Sequence, residues 1–440
     1  MEPRRILVLG GTSRLLMKAE GLGLRIVNIR ATDDLTERAS KICQDVRIVD
    51  FGDLAGIVQM VREMHSESPF SNIVCHAEAL QMIAGHLTSE LGLPGNSFEI
   101  AEIFNDKFAT RSLLRKHGLS HAASEMVTCA DDLTRFVSNH GPTIIKPRGG
   151  SGSWGVRLVR APAEAEAAWR WVADAGLTEM LAEVFLVGTE ISVEFFSIDG
   201  RHIPLAATTK ELSDEFIEIG HAVPAPVPPN ELEACHRLVK GLLDLVGLKW
   251  GPSHTEIILT SSGPEVVESH CRRAGGHINE LVRLAHGIDM EQLVFELAAG
   301  RGVSLSSPPV AQRSAAIRFL TAQAGTIAGV TGVEQVAARN DVSEVEVPAP
   351  GQRSFGLRWG GDYVGHVITL GGTPAGAVDL ARELAAQIDI TILPSTDDAP
   401  DSAVQAIPGD ALDAFVAASA RIPAAHAKHP SESTGKSAAR

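Results

Sequence analysis

The chain has 440 residues, an apolar share of 44% and 54 acidic against 39 basic side chains, for a formal net charge of -15. That length accommodates two or three domains with substantial cores, and the acidic balance disfavours nucleic acid or an anionic membrane as the main partner. Any anionic ligand must then be held by local Lys and Arg, and no apolar run is long enough for a signal-peptide core or a membrane span.

In chain order, short apolar runs at Ile6 to Leu9, Arg25 to Ile29, Val46 to Val49 and Ile73 to Cys75 alternate with helical stretches and predict buried parallel strands in a Rossmann-like unit over 1–96. Gly10-Gly11-Thr12-Ser13 follows the first strand but lacks the full G-x-G-x-x-G fingerprint, so it reads as a turn. A helical segment from Ser97 to Gly118 carries Asn105-Asp106-Lys107-Phe108. Strands are expected at Thr143 to Pro147 and Val156 to Arg160, a helix at Ala163 to Ala175, then Met180 to Leu186, a Gly188 turn and a long strand from Glu190 to Ile198. After Ala225-Pro226-Val227-Pro228-Pro229 comes a helix from Glu231 to Val246, and a third unit, α+β in pattern, starts near Arg313 and runs to Ile392. Beyond Pro394 the composition of Ala, Pro, Ser and Asp predicts a disordered tail, 396–440. Its Gly435-Lys436-Ser437 imitates the end of a Walker A loop, but Pro430 stands at the first-glycine position.

Cys43, Cys75, Cys129, Cys235 and Cys271 form no C-x-x-C pair, which favours a reducing compartment, with the cytoplasm as the default. Cys271 lies between His270 and Arg272, where strand alternation turns its side chain away from theirs into apolar packing. His76 and His86 read as ordinary surface or turn histidines near the first unit's ligand edge.

Three stretches carry chemistry. Gly251-Pro252-Ser253-His254-Thr255-Glu256 and Glu268-Ser269-His270-Cys271-Arg272-Arg273-Ala274-Gly275-Gly276 flank a Ser261-Ser262-Gly263-Pro264 turn. A hairpin would set Glu256 beside Glu268, which suits a divalent metal carrying phosphates; solvated face residues are the plainer alternative. Lys146-Pro147-Arg148-Gly149-Gly150-Ser151-Gly152-Ser153-Trp154-Gly155 joins a strand lysine to a loop whose glycines let backbone N–H groups approach polyphosphate, beyond what a hairpin turn needs. Glu183-Val184-Phe185-Leu186 followed by Glu190 has the layout of an adenosine site, a linker to read the adenine edge and an acid for ribose hydroxyls.

Lys107, Lys146 with its glycine loop, Glu183 to Leu186, Glu190, Glu256 and Glu268 resemble, in order and rough spacing, the ATP-grasp superfamily. Thr208-Thr209-Lys210 leading to Phe216 to Pro224, Glu268-x-His270-x-Arg272-x-x-Gly275-Gly276, and Arg313 to Ile392 resemble in particular its L-amino acid ligases, carboxylate-amine ligases that make dipeptides and related amides. The resemblance implies an α/β plus α+β protein: a Rossmann-like pre-ATP-grasp domain over 1–96, an ATP-grasp domain over 97–310 with a mobile lid at about 124–186, and a C-terminal lid domain over 311–395. It implies ATP and Mg²⁺, with Mn²⁺ as a substitute, small-molecule acid and amine substrates, and a homodimer. Lys107, Lys146, Gly149, Gly150, Ser151 and Gly152 would then hold phosphates, Glu183, Phe185 and Leu186 the adenine, and Glu190 the ribose. Glu256 and Glu268 would hold metal, Arg272 the reacting carboxylate and its oxyanion, and Glu218 and His221 the amino-acid pocket. His270 would be the third metal ligand, at a position where the family usually has Asn, and its nitrogen suits softer metals than an amide oxygen does. Two other readings fit the same order of units: a biotin-carboxylase-like or purine-biosynthetic enzyme, and a degenerate nucleotide-binding regulatory module.

Overall fold

The structure, a computed structural model, describes residues 3–150, 152–303, 305 and 308–393. Ser151 and the expected tail with its Walker-like Gly435-Lys436-Ser437 lie outside them. Among the described residues no helix is long and apolar enough to cross a membrane.

The first unit is a parallel sheet in the order Cys43–Ile48, Leu24–Arg30, Arg4–Leu9, Asn72–Cys75. Ile6, Leu7, Val8 and Leu9 are all fully buried, which is why this strand reads as an unbroken apolar run instead of an alternating one. The third strand begins at Cys43, earlier than its apolar residues announce. The carboxyl ends of these strands, where open parallel sheets present ligand sites, carry Gly10 after the first strand and His76 after the last.

The segment expected as one helix from Ser97 to Gly118 is two, Phe98–Asn105 and Lys107–Lys116. Asp106 leaves helical geometry and accepts hydrogen bonds from the Phe108 and Ala109 amides at 3.0 Å each, capping the second helix. Lys107 therefore sits in a first turn, and its own amide donates to the Arg148 carbonyl at 2.9 Å, tying it to the glycine loop.

Residues 124–184 form a separate antiparallel sheet, Ser124–Val127, Met180–Val184, Thr143–Lys146, Arg157–Val159, with helices Ala130–His140 and Ala165–Asp174 sharing its core. Gly188 follows it, and a Cβ there would stand 2.1 Å from the Leu259 carbonyl oxygen, so only glycine allows this approach.

The largest sheet has eight antiparallel strands in the order Gly263–His270, Trp250–Thr260, Thr189–Ile198, Arg201–Leu212, Glu218–Val223, Ser314–Leu320, Gly365–Gly371, Val342–Glu346. Three strands of the third unit continue the central sheet, with Val223 paired to Ala315, while Gly325–Thr331, Arg353–Ser354 and Asp389–Leu393 form a small antiparallel sheet of their own. Helix Pro229–Val246 buries Cys235, Leu238, Val239, Leu242, Leu243 and Val246, one stripe at helical spacing, against Val193, Phe195, Ile257 and Val266 of the sheet. Full burial of each such leucine or valine contributes about 1.5–3 kcal/mol. Cys271 joins that core, and burial pushes its thiol up to about 12, which removes it as a nucleophile.

Candidate active site

The hairpin register pairs Glu256 with Glu268 and His254 with His270, so strand alternation puts all four on one face. Thr255 and Ser269 take the other face and share a hydroxyl hydrogen bond of 2.7 Å. The four face a cavity of 770 Å³, closed by the lid sheet, the glycine loop and the carboxyl edge of the first sheet.

Two neighbouring carboxylates would each resist ionisation, so the surroundings decide their state. Glu268 lies 3.0 Å from Lys107 Nζ and 3.1 Å from His270 Nε2. Burial works against its charge, but Lys107 and His270 hold it well below the usual carboxylate range. Glu256 lies 2.5 Å from Lys210 Nζ and 3.3 Å from His254 Nε2, and is likewise held down by Lys210 against burial. Beneath it His254 Nδ1 is 3.0 Å from Glu194. Burial disfavours its proton, yet Glu194 and Glu256 outweigh burial and carry it up to about 10, so it is a cation.

Lys210 is the hub of this end. Its ammonium lies 3.1 Å from Glu190, 2.5 Å from Glu218 and 2.5 Å from Glu256, and these acids hold its pKa well above normal despite burial. A bulge at Ile219, which the pairing of Leu212 with Glu218 and Glu211 with Gly220 skips, brings Glu218 onto the face of Lys210. Glu183 bridges Lys146 at 2.5 Å and Arg111 at 2.6 Å, a buried triad linking lid strand and helix.

The far end is built differently. Glu78, from a short 3₁₀ turn, stands 3.1 Å from His270 Nδ1 and pairs with Arg272. Burial opposes its charge, but His270 and Arg272 keep it strongly acidic. His76 lines the same end, 5% exposed.

The structure gathers Lys107, Lys146, Gly149, Gly150, Gly152, Glu183, Phe185, Leu186, Glu190, Glu218, Glu256, Glu268, His270 and Arg272 on the wall of one cavity. The glycine loop is pinned from several sides: Lys107 Nζ donates to Gly150 O at 2.5 Å, Gly360 N to Gly152 O at 3.0 Å, and Ser153 Oγ to Phe216 O at 2.8 Å. Gly150 and Gly152 take φ of 98° and 69°, the left-handed region that glycine tolerates.

Four expectations need correction. His221 does not line the cavity: its side chain is fully covered, packed on Gly276 and Phe319 behind Glu218. Its Nε2 is 3.2 Å from Glu218, within ion-pair reach, while neither ring nitrogen has hydrogen-bond geometry to any described partner. Glu183 does not offer its backbone to a base, because it is paired on both sides within the lid sheet to Ser124 and Ile144; its role is the carboxylate between Lys146 and Arg111. The Val184 and Phe185 amides are likewise spent on Ala123 and Pro142, which leaves carbonyls of this linker and the Leu186 amide as the groups to meet an adenine edge. His270 has both ring nitrogens at 3.1 Å from carboxylates; burial disfavours its proton, but Glu78 and Glu268 outweigh burial and raise its pKa, so it bridges the two acids with both nitrogens engaged. His76 is neither a surface nor a turn residue but a buried imidazole of the cavity wall.

Glu78, Lys210, Arg111 and the Glu194–His254 pair escaped the sequence reading. Thr208-Thr209-Lys210 was a visible signal for one of them; the others depend on strand register and on contacts such as Glu78 to Arg272, 194 residues apart.

Carboxylate oxygens of Glu256 and Glu268 are hard donors that fit Mg²⁺, which takes one or two carboxylates and keeps phosphate oxygens and water for the rest.

Residues 139–280 match the ATP-grasp domain family, and residues 318–392 match the L-amino acid ligase C-terminal domain 2 family. The L-arginine-specific L-amino acid ligase of Bacillus subtilis is 25% identical over 316 residues, 68% of this chain and 74% of that protein. A Sinorhizobium fredii protein described as uncharacterized is 28% identical over 376 residues, 80% of this chain and 75% of that one. The crystal structure of an L-amino acid ligase from Bacillus licheniformis superposes with a TM-score of 0.77 at 24% identity, covering 89% of this chain and all of that one, a likeness of fold. The two family matches fall in the expected order on this architecture, so the chain is similar to ATP-grasp proteins over its middle and to L-amino acid ligases over its C-terminal unit.

Proposed function

We propose that the protein is an ADP-forming ligase that converts an amino-acid carboxylate to an acyl phosphate and joins it to the amine of a second amino acid. The observation that carries this reading is the single cavity in which a cross-strand acid pair and two lysines stand at one end and the Glu78–Arg272 pair at the other. Such an arrangement suits phosphoryl transfer between a nucleotide and a carboxylate. Ile144, Val156, Phe185 and Ile258 form an apolar slot for the base, and Glu190 stands beside it for ribose hydroxyls.

A carboxylate is a poor acyl donor because oxide is its leaving group. Attack of its oxygen on the γ-phosphorus forms the C–O–P linkage and releases ADP; attack of a neutral amine on the carbonyl then expels phosphate from a tetrahedral intermediate. Mg²⁺ bound by Glu256 and Glu268 would neutralise and orient the phosphates. Lys107 and Lys146, both drawn from buried carboxylate pairs, offset the remaining charge. Arg272 exchanges Glu78 for the reacting carboxylate and then faces the oxyanion, a task suited to a planar, permanently charged donor. Glu218 is held well below the usual range by Lys210 and His221 against burial, so it suits binding of an ammonium better than removal of its proton.

The test is phosphate release with mass detection over pairs of amino acids. ADP and phosphate should form only when acid and amine are both present; AMP with pyrophosphate would sink the acyl-phosphate route. Bicarbonate-dependent turnover would favour a biotin-carboxylase-like reaction, against which the match of residues 318–392 already weighs.

A further inference from the structure

His76 follows strand Asn72–Cys75 and is 95% buried, yet neither Nδ1 nor Nε2 has a hydrogen-bond partner among the described residues. Buried polar groups are nearly always satisfied, and an orphan forfeits stability that a partner would restore. The residue borders the substrate end of the cavity, where Glu78, Arg272, Arg273 and Gly275 line the same space, and on its other side a smaller cavity beside Gln81 and Trp250. Burial, more than any neighbouring charge, pulls its pKa down to about 4, so near neutral pH the ring presents one N–H donor and one lone pair. The charges beside it keep partners even when Arg272 turns to the substrate: Glu78 retains His270 at 3.1 Å, and Glu291 pairs with Arg273 at 2.6 Å and Lys18 at 2.6 Å. A charged side chain entering here would be desolvated without a counter-ion, and an apolar one would leave both ring nitrogens bare.

We propose that His76 reads the side chain of one substrate, hydrogen-bonding an uncharged amide or hydroxyl, so that the preferred amino acid at this position is polar and neutral. This inference rests on the ligase reading and adds the substrate class. A site built to hydrogen-bond a ligand group rejects the isostere that lacks it far more strongly than an apolar pocket rejects an added group.

The experiment compares asparagine with leucine and threonine with valine in the phosphate-release assay, against a panel of partner amino acids. The wild type should favour the polar member by about 10-fold or more in kcat/KM. His76→Phe should bring each pair within about 3-fold, chiefly through the KM of the polar substrate, while His76→Asn keeps a polar preference. His76→Leu serves if the phenylalanine variant does not melt cooperatively. A second readout is thermal shift in the presence of ADP: asparagine should raise the wild-type Tm and leave that of His76→Phe or His76→Leu unmoved. Equal handling of the isosteric pairs by the wild type, an unchanged ratio in the folded variants, or loss of the preference in His76→Asn overturns the inference. If no pair yields product, the ligase reading fails and takes this inference with it; turnover with an unaltered ratio removes this inference alone.

Discussion

At the nucleotide end of the cavity the working groups other than Lys107, which opens a helix, stand on or at the tips of strands. Lys146 ends one, Glu183, Glu190, Lys210, Glu256 and Glu268 lie within others, and each acid faces a cation at 2.5–3.1 Å. At the substrate end they stand just past strand ends: His76 after Cys75, Glu78 in a 3₁₀ turn, Arg272 after His270. One end is a charge lattice held by sheet register, with no orphaned side chain on its wall among the described residues. The other is carried on connecting segments and keeps an imidazole without a partner. Chemistry that is the same for every substrate gains from rigidity, whereas selection can be retuned in loops without disturbing the sheet.

The strongest way to break this contrast is to remove the hub of the lattice. Lys210→Met leaves Glu190, Glu218 and Glu256 without their shared cation, and should cost about 3–5 kcal/mol in denaturant unfolding. A loss below about 1 kcal/mol would show that the three acids do not depend on it. Glu268→Gln keeps size but removes a charge from the metal pair; we expect about a 10³-fold fall in kcat for phosphate release. Wild-type turnover in this variant would place the metal elsewhere. At the other end, Arg272→Lys should lower kcat/KM by about 10²-fold, because a point charge does not replace the planar fork. Recovery by lysine would reduce the role of Arg272 to charge alone.

The smallest effect sharpens the comparison through pH. His76 is held below its unfolded value, so its contribution to stability is full above about pH 6.5 and is lost as pH falls toward 4. His254 is held above its unfolded value, so its contribution is full below about pH 6.5 and is lost as pH rises through about 10. Melting curves should therefore lose a few degrees on each side, with His76→Phe flattening the acid limb and His254→Gln the alkaline one. The same limb responding to both variants would show that the two imidazoles share one environment.

Legibility in the sequence followed the same division. The two acids were readable as hairpin neighbours, but the turn alone would set Glu256 opposite Val267, and a bulge there brings Glu268 opposite it; Lys146 with its glycines was readable because strand, cation and loop are contiguous. The break before Lys107 has a local sign in Asp106, a capping residue inside a helical pattern. Lys210 needed the pairing of Arg201–Leu212 with three distant acids, and Glu78 needed a contact across 194 residues. His221 turns on packing: the bulge at Ile219 gives it the face of Glu218, but Gly276 and Phe319 cover it. The merging of the third unit into the central sheet also lies beyond local pattern, since Val223 and Ala315 meet across a long connection.

That continuous sheet bears on how the molecule can be cut. Strand Glu218–Val223 has Arg201–Leu212 on one side and Ser314–Leu320 on the other, so a fragment stopped near residue 312 would bare its backbone N–H and C=O groups along the length of a central strand. Ala222 and Val223, fully buried in the whole chain, would lie on that open edge. An edge of this kind recruits other chains. The boundary suggested by the family matches is thus a poor place to divide the protein: the catalytic half would carry Glu218 on an adhesive rim, and self-association would precede any loss of chemistry.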